Sequence, residues 1–218
     1  MTSHLPWFTA WGIEFSRPIE NAFSIVSKIN KHRKNNRWLI VNYDVLASEI
    51  HLWNAWYSLR CNERIENMVA KTPDTEFIRL LSGTHQINRA FERAGVSECD
   101  SKAWIVFLPI LDFGDGFGNL SIPADLYNCY TKDALRLIER LGGKMMAKRP
   151  IPTDIGLSRV GVEYDGNKST IEMENLFISH MLSLIHISEP TRLLSIWYGV
   201  VGVKKKRGGG GGGGGGGG

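Results

Sequence analysis

Cysteine is scarce, an excess of charge of either sign is missing from the body of the chain, and no long apolar run is present. Each shortage excludes a class of protein. Cys61, Cys99 and Cys129 are spaced too widely for a Cys-x-x-Cys zinc site, and three is an odd, sparse set for a disulfide framework. A reducing compartment is therefore expected. No apolar run reaches the ~18 residues of a membrane span. The N-terminus has no basic segment followed by an apolar core, so no secretory signal is expected. These absences lead us to expect a soluble cytoplasmic protein. The net charge of +4 looks basic, from 26 basic and 22 acidic residues. Five of the basic residues and one acid lie from Ser183 onward, which leaves 21 of each sign in residues 1–182. The body of the chain is neutral overall. Residues 1–181 also contain no internal repeat and no Gly/Ser linker.

The C-terminal stretch is rich in what the rest lacks, with 13 of the 24 glycines from Gly199 onward. Leu182-Ser-Leu-Ile-His-Ile-Ser-Glu-Pro-Thr-Arg192 resembles, codon for codon, the translation of a transposase sequencing adapter. Leu193–Ser195 would be its sample index, and Ile196–Val203 resembles a flow-cell primer region. Runs of A and then of G would give Lys204–Lys206, Arg207 and the glycines. We expect residues 1–181 to be the native domain, truncated at its C-terminus, and residues 182–218 to be adapter read-through. From about Ser183 onward few core contacts are expected, apart from fortuitous packing of Leu184 to Trp197. The competing reading is a basic import or nucleic-acid patch followed by a flexible linker.

Trp7, Thr9, Trp11, Ile13 and Phe15 alternate at period two and predict a strand. A helix is expected from Arg17 to about Asn35, with Ala22, Ile25, Val26 and Ile29 as its apolar stripe. Its far end, Lys28 to Arg37, is basic and reads as a solvated face complementing the helix dipole. Trp38–Tyr43 predicts a second strand. A helix over Ala47–Cys61 follows, with Ile50, Trp53 and Trp56/Tyr57 on one face. Thr72 caps a short helix with Pro73 at its first position, closed by Ser82-Gly83. Another helix is expected to start after Thr84 and stop at Gly95, with Ile87, Phe91 and Ala94 inward. Trp104–Leu108 predicts a buried strand, to share one sheet with the first two and pack under the helices holding Trp53 and Phe91. Thr131 is expected to cap a helix closed by Gly142. A strand is expected within Gly156–Tyr164, and Ser169-Thr-Ile-Glu172 is a capping box opening a last helix. Strands and helices mix without regular alternation. The expected fold is a single compact α+β domain with a mixed or antiparallel sheet packed by helices.

Chemistry-bearing residues are few. No cysteine sits in a nucleophile motif. Glu49 and His51 lie on different faces of one helix and form no metal pair. His51 and His85 could meet in space, but structural histidines are commoner. Asp112–Gly118 lacks the calcium-loop and phosphate-loop patterns and reads as a mobile turn. We expect no cofactor, no metal and no catalytic residue. Residues 68–95 stand out. Gly83 would let a backbone approach a ligand closely. The helix after Thr84 would offer free N–H groups at its positive end. Gln86 adds donors, and Arg89 and Arg93 follow at one-turn intervals. The plain alternative is an ordinary capped helix-turn-helix.

The same segment carries a family resemblance. Leu80-Leu-Ser-Gly-Thr-His-Gln-Ile87, then Ala90 and Gly95, resembles the signature of the small tRNA-binding subunit of the KEOPS complex. His51-Leu52 with Ala55, Ala70-Lys71 and Glu76 resemble further positions of that family. His85 departs from it, standing where the family usually has arginine, and histidine is not permanently charged near neutral pH. The resemblance implies a non-catalytic subunit with two partners. One is the complex's kinase-like ATPase subunit. The other is the single-stranded 3′ CCA end of tRNA, held while the complex places threonylcarbamoyl on the adenosine beside the anticodon. Lys71, Arg79, Gly83, Thr84, His85, Gln86 and Arg89 are the expected tRNA contacts. Two other readings stay open: an adaptor between proteins without RNA contact, and an enzyme using a cysteine with His51 or His85.

Overall fold

Period-two alternation builds the centre of the molecule. The computed structural model describes residues 5–111 and 122–186. In it β1 (Ala10–Phe15), β2 (Trp38–Asn42), β3 (Lys102–Phe107) and β4 (Gly143–Met146) form one antiparallel sheet, in the order β2-β3-β1-β4. The register places Trp38 opposite Phe107, Ala10 opposite Val106 and Ile13 opposite Met145. Successive residues then face opposite sides. Trp11, Ile13, Ile40 and Ile105 enter one apolar cluster, while Ala10, Val41, Trp104 and Val106 enter another. The first face is covered by α1 (Ala22–His32) and α5 (Leu126–Leu141), through Ile25, Ile29, Leu137 and Ile138. The second is covered by α2 (Glu49–Arg64), α3 (Pro73–Leu81), α4 (Ile87–Ala94), α6 (Asp154–Val160) and α7 (Thr170–His186). The expected α+β fold is present, with the sheet sandwiched between two helical layers. No helix among the described residues is long and apolar enough to cross a membrane.

Several boundaries differ from those expected. The first strand begins at Ala10 and not at Trp7. Arg149 donates to the carbonyls of Phe8 (3.0 Å) and Ala10 (2.6 Å) and so stands in for a partner strand there. Trp7 stays half exposed, edge-on to Tyr127 at 5.3 Å, with the Arg149 guanidinium 5.1 Å from its ring centre. α1 begins at Ala22, because the Asn21 side chain caps it by accepting from Ser24 N–H at 2.9 Å. α4 turns Ala94 inward as expected, but Ala90 is buried in place of Phe91, which is exposed. Thr131 is not a cap. It lies within α5, and its hydroxyl donates to Tyr127 O at 2.8 Å. Gly142 closes that helix in the left-handed region as expected.

The strand expected in 156–164 is instead α6. Thr153 caps it by accepting from Gly156 N–H at 3.0 Å, and Leu157 and Val160 are buried at helical spacing. β4 went unpredicted because it is short and carries no buried alternation. The capping box at the start of α7 is present: Ser169 N–H donates to the Glu172 carboxylate at 2.7 Å, and Glu172 N–H to Ser169 Oγ at 3.4 Å. α7 continues past Leu182, burying Met181 and Leu184; the latter falls within the fortuitous packing that was allowed for. Asp112–Gly118 and the glycine run lie outside the described residues.

Candidate nucleic-acid interface

The N-terminal half of α2 is inside the protein on nearly every side, with His51, Leu52, Trp53, Ala55, Trp56, Tyr57, Ser58 and Leu59 all buried. The single apolar face expected from spacing is too narrow a description. α2 lies between the sheet, α3 and α7, so its flanks meet protein as well. Ser48 caps it, accepting from His51 N–H at 3.0 Å. The His51 ring accepts from Ala47 N–H at Nδ1 (3.3 Å) and tilts against Phe177 of α7, with centroids 5.6 Å apart. His51 does not pair with His85, which is exposed. It neighbours His180 of α7 instead.

The His180 ring occupies the space over Gly83, where any Cβ would overlap it. Gly83 has φ 62°, in the left-handed region that favours glycine. Its conformation and missing side chain therefore admit α7, and close approach of a ligand is not what requires it.

Burial, and then the neighbouring His180, push the His51 pKa down to about 3. Burial also lowers His180, although the carbonyls of Ser82 and Val160 oppose it. The folded value of His51 is thus depressed below the unfolded value near 6.5. For histidine this means stability that is full above pH ~6.5 and is lost as pH falls toward 3. Urea stability is expected to fall between pH 6.5 and 5 by up to ~1.4 kcal/mol per pH unit from this one group. His51→Gln should flatten that slope by about one proton. An unchanged slope would remove the assignment.

α3 places its charges inward. Asp74, Glu76 and Arg79 are all buried. The Glu76 carboxylate accepts from Arg79 Nε (3.0 Å) and Nη2 (2.6 Å), Ala70 N–H (2.9 Å) and Asn62 Nδ2 (3.1 Å). Burial alone would raise its pKa, but these donors outweigh it and hold it below the ordinary value. Arg79, expected as a ligand contact, is 4% exposed and committed to Glu76. Arg93 is also turned inward, donating to Ser82 O at 3.2 Å.

The other expected residues form a surface. His85, Gln86 and Arg89 are exposed, and none of their side chains has a hydrogen-bond or ionic partner among the described residues. Thr84 Oγ1 accepts from Gln86 N–H at 3.3 Å and shapes the turn into α4. α4 starts at Ile87 with Gln86 as its N-cap, two residues later than expected, and Gln86 makes no side-chain cap. The first N–H groups of α4 thus lack intrahelical partners beside three free polar side chains. Lys71 is exposed but sits at the opposite end of α3, about 13 Å of helix away at 1.5 Å per residue. A compact ligand cannot reach both ends, whereas an extended strand can.

Of the cysteines, Cys99 and Cys129 are exposed and Cys61 is half-buried. Cys129 is raised above its ordinary pKa, by local desolvation and by Asp125, which is the opposite of what thiolate chemistry needs. Among the described residues no group of three or more His, Cys, Asp or Glu could hold a metal.

Comparison with known proteins returns one family. The model of the family described as kinase binding protein CGI-121 matches residues 17–110, less than half of the chain. The matched stretch runs from the approach to α1 to just beyond β3, and so includes α2, α3 and α4. No curated protein matches the chain.

Proposed function

We propose, from the match to a kinase-binding family over residues 17–110, that this chain is a non-catalytic cytoplasmic subunit of the KEOPS assembly. It binds the kinase-like ATPase subunit and grips the single-stranded 3′ CCA end of tRNA during threonylcarbamoyl transfer to the adenosine beside the anticodon. The matched region supports the kinase partner. The turn at Thr84, His85 and Gln86, with Arg89 one helical turn on, supports the RNA contact. It gathers unpaired N–H groups and free donors where phosphates and base edges of an unpaired strand can reach them. Lys71, at the far end of α3, extends the same surface for a strand several nucleotides long. Arg79 and Gly83 serve this surface from behind, by fixing α3 and α7.

Arg89→Ala tests the RNA contact. It is expected to weaken binding of CCA-ended tRNA by roughly 1–3 kcal/mol, the value of a charged hydrogen bond. Melting temperature should hardly move, because the side chain is exposed and unpartnered. Undiminished tRNA affinity in this variant, together with retained kinase binding, would leave the adaptor reading in its place.

A further inference from the structure

The helical layer on the other side of the sheet carries a second concentration of positive charge. The ends of α1 and α5 converge on a cleft of about 170 Å³ floored by Trp38 and Leu137. Four basic side chains line it: His32, Lys34, Arg136 and Arg140. One acid, Asp133, takes Lys34 at 2.8 Å and Arg136 at 3.5 Å. Those two cations remain 64% and 74% exposed, so the pairs are weakly held and readily exchanged. Arg140 and His32 have no hydrogen-bond or ionic partner among the described residues. Complementing the helix dipoles accounts for a basic residue in each last turn. It does not account for Lys34 and Arg136 converging on the same cleft.

We infer that this cleft seats a phosphate group of a nucleic-acid strand, as a contact separate from the turn at Thr84–Arg89. Its size admits a phosphate with part of a sugar. It offers a base no aromatic face for stacking, since Trp38 is 2% exposed. A polymer fits better than a free anion because the charge continues beyond the cleft. Lys28 and Lys31 are exposed on α1, and no acid occurs between Glu20 and Asp44. Phosphate contacts of this kind read no sequence, so they position a strand and do not select one.

The experiment is binding of single-stranded oligouridylate, which has no CCA end, to the full chain across a salt series. Arg136→Ala with Arg140→Ala is compared with the charge-matched pair Lys144→Ala and Lys148→Ala. The latter residues are exposed in and just after β4, at the far edge of the sheet. The cleft pair is expected to lose about tenfold in affinity at low salt, and its log–log salt slope should shrink by about 1.4 for two lost contacts. The β4 pair should do neither. Equal losses in both pairs, or none in either, would overturn the site. In a parallel titration with pyrophosphate, loss of pyrophosphate binding with oligouridylate unaffected would assign the cleft to free phosphate and overturn the nucleic-acid contact. Failure of the CCA reading would leave all of these outcomes unchanged.

Discussion

Gly83→Val is expected to destabilise the domain by about 3–5 kcal/mol, enough to unfold much of a marginally stable chain. Two effects add. A β-branched residue at φ 62° is strained, at about 1–2 kcal/mol. Its Cβ also overlaps the His180 ring and pushes α7 away from α2 and α3. α7 contributes Phe177, Ile178, Met181 and Leu184 to the buried interior, so a shifted helix re-exposes a large apolar area. Urea unfolding of Gly83→Ala, His180→Ala and the double variant separates the two effects. Removing the ring should make room for the methyl, so the double variant should be more stable than the sum of the singles by about 1–2 kcal/mol. Strict additivity would show that α7 does not rest on Gly83.

Glu76→Ala should be equally damaging, by about 3–5 kcal/mol, because it strands a buried guanidinium. Glu76 is fully buried and holds Arg79, Asn62 and the N–H of Ala70 together. Without it Arg79 keeps its charge and loses its partner. Glu76→Leu combined with Arg79→Met removes both charges at similar volume and should recover most of the loss, as replacing buried pairs often does. If Glu76→Ala alone were nearly neutral in urea unfolding, the network would not be holding α3. Recovery of tRNA binding along with stability in the double variant would also show that Arg79 acts behind the surface.

The sheet was legible because its strands alternate and because tryptophan and β-branched residues cluster in them. Three of the four strands and most helix positions follow from the pattern alone. The misses have local causes. β4 is short and half exposed, so no alternation marks it. α6 has only seven residues, about two turns, between the Thr153 cap and the left-handed stop at Gly161, too short for its helical spacing to stand out from a strand. The site was legible as a segment but not as a surface. Spacing along α3 and α4 cannot tell an inward arginine from an outward one, and Arg79 and Arg89 are on opposite sides of that distinction. Gly83 was visible as special, but its reason lies 97 residues on, at His180. The basic end of α1 was visible too. Its partner was not, although Arg136 and Arg140 are spaced one helical turn apart on α5.

The most direct measurement is the equilibrium affinity of the full chain for one tRNA, with and without its terminal CCA, in the same buffer. The account predicts that trimming weakens binding about tenfold or more, since the unpaired end supplies the stacking and hydrogen bonds that Thr84–Arg89 would meet. Residual, strongly salt-dependent binding should remain through the α1–α5 cleft. Equal affinity for the intact and trimmed tRNA would contradict the account.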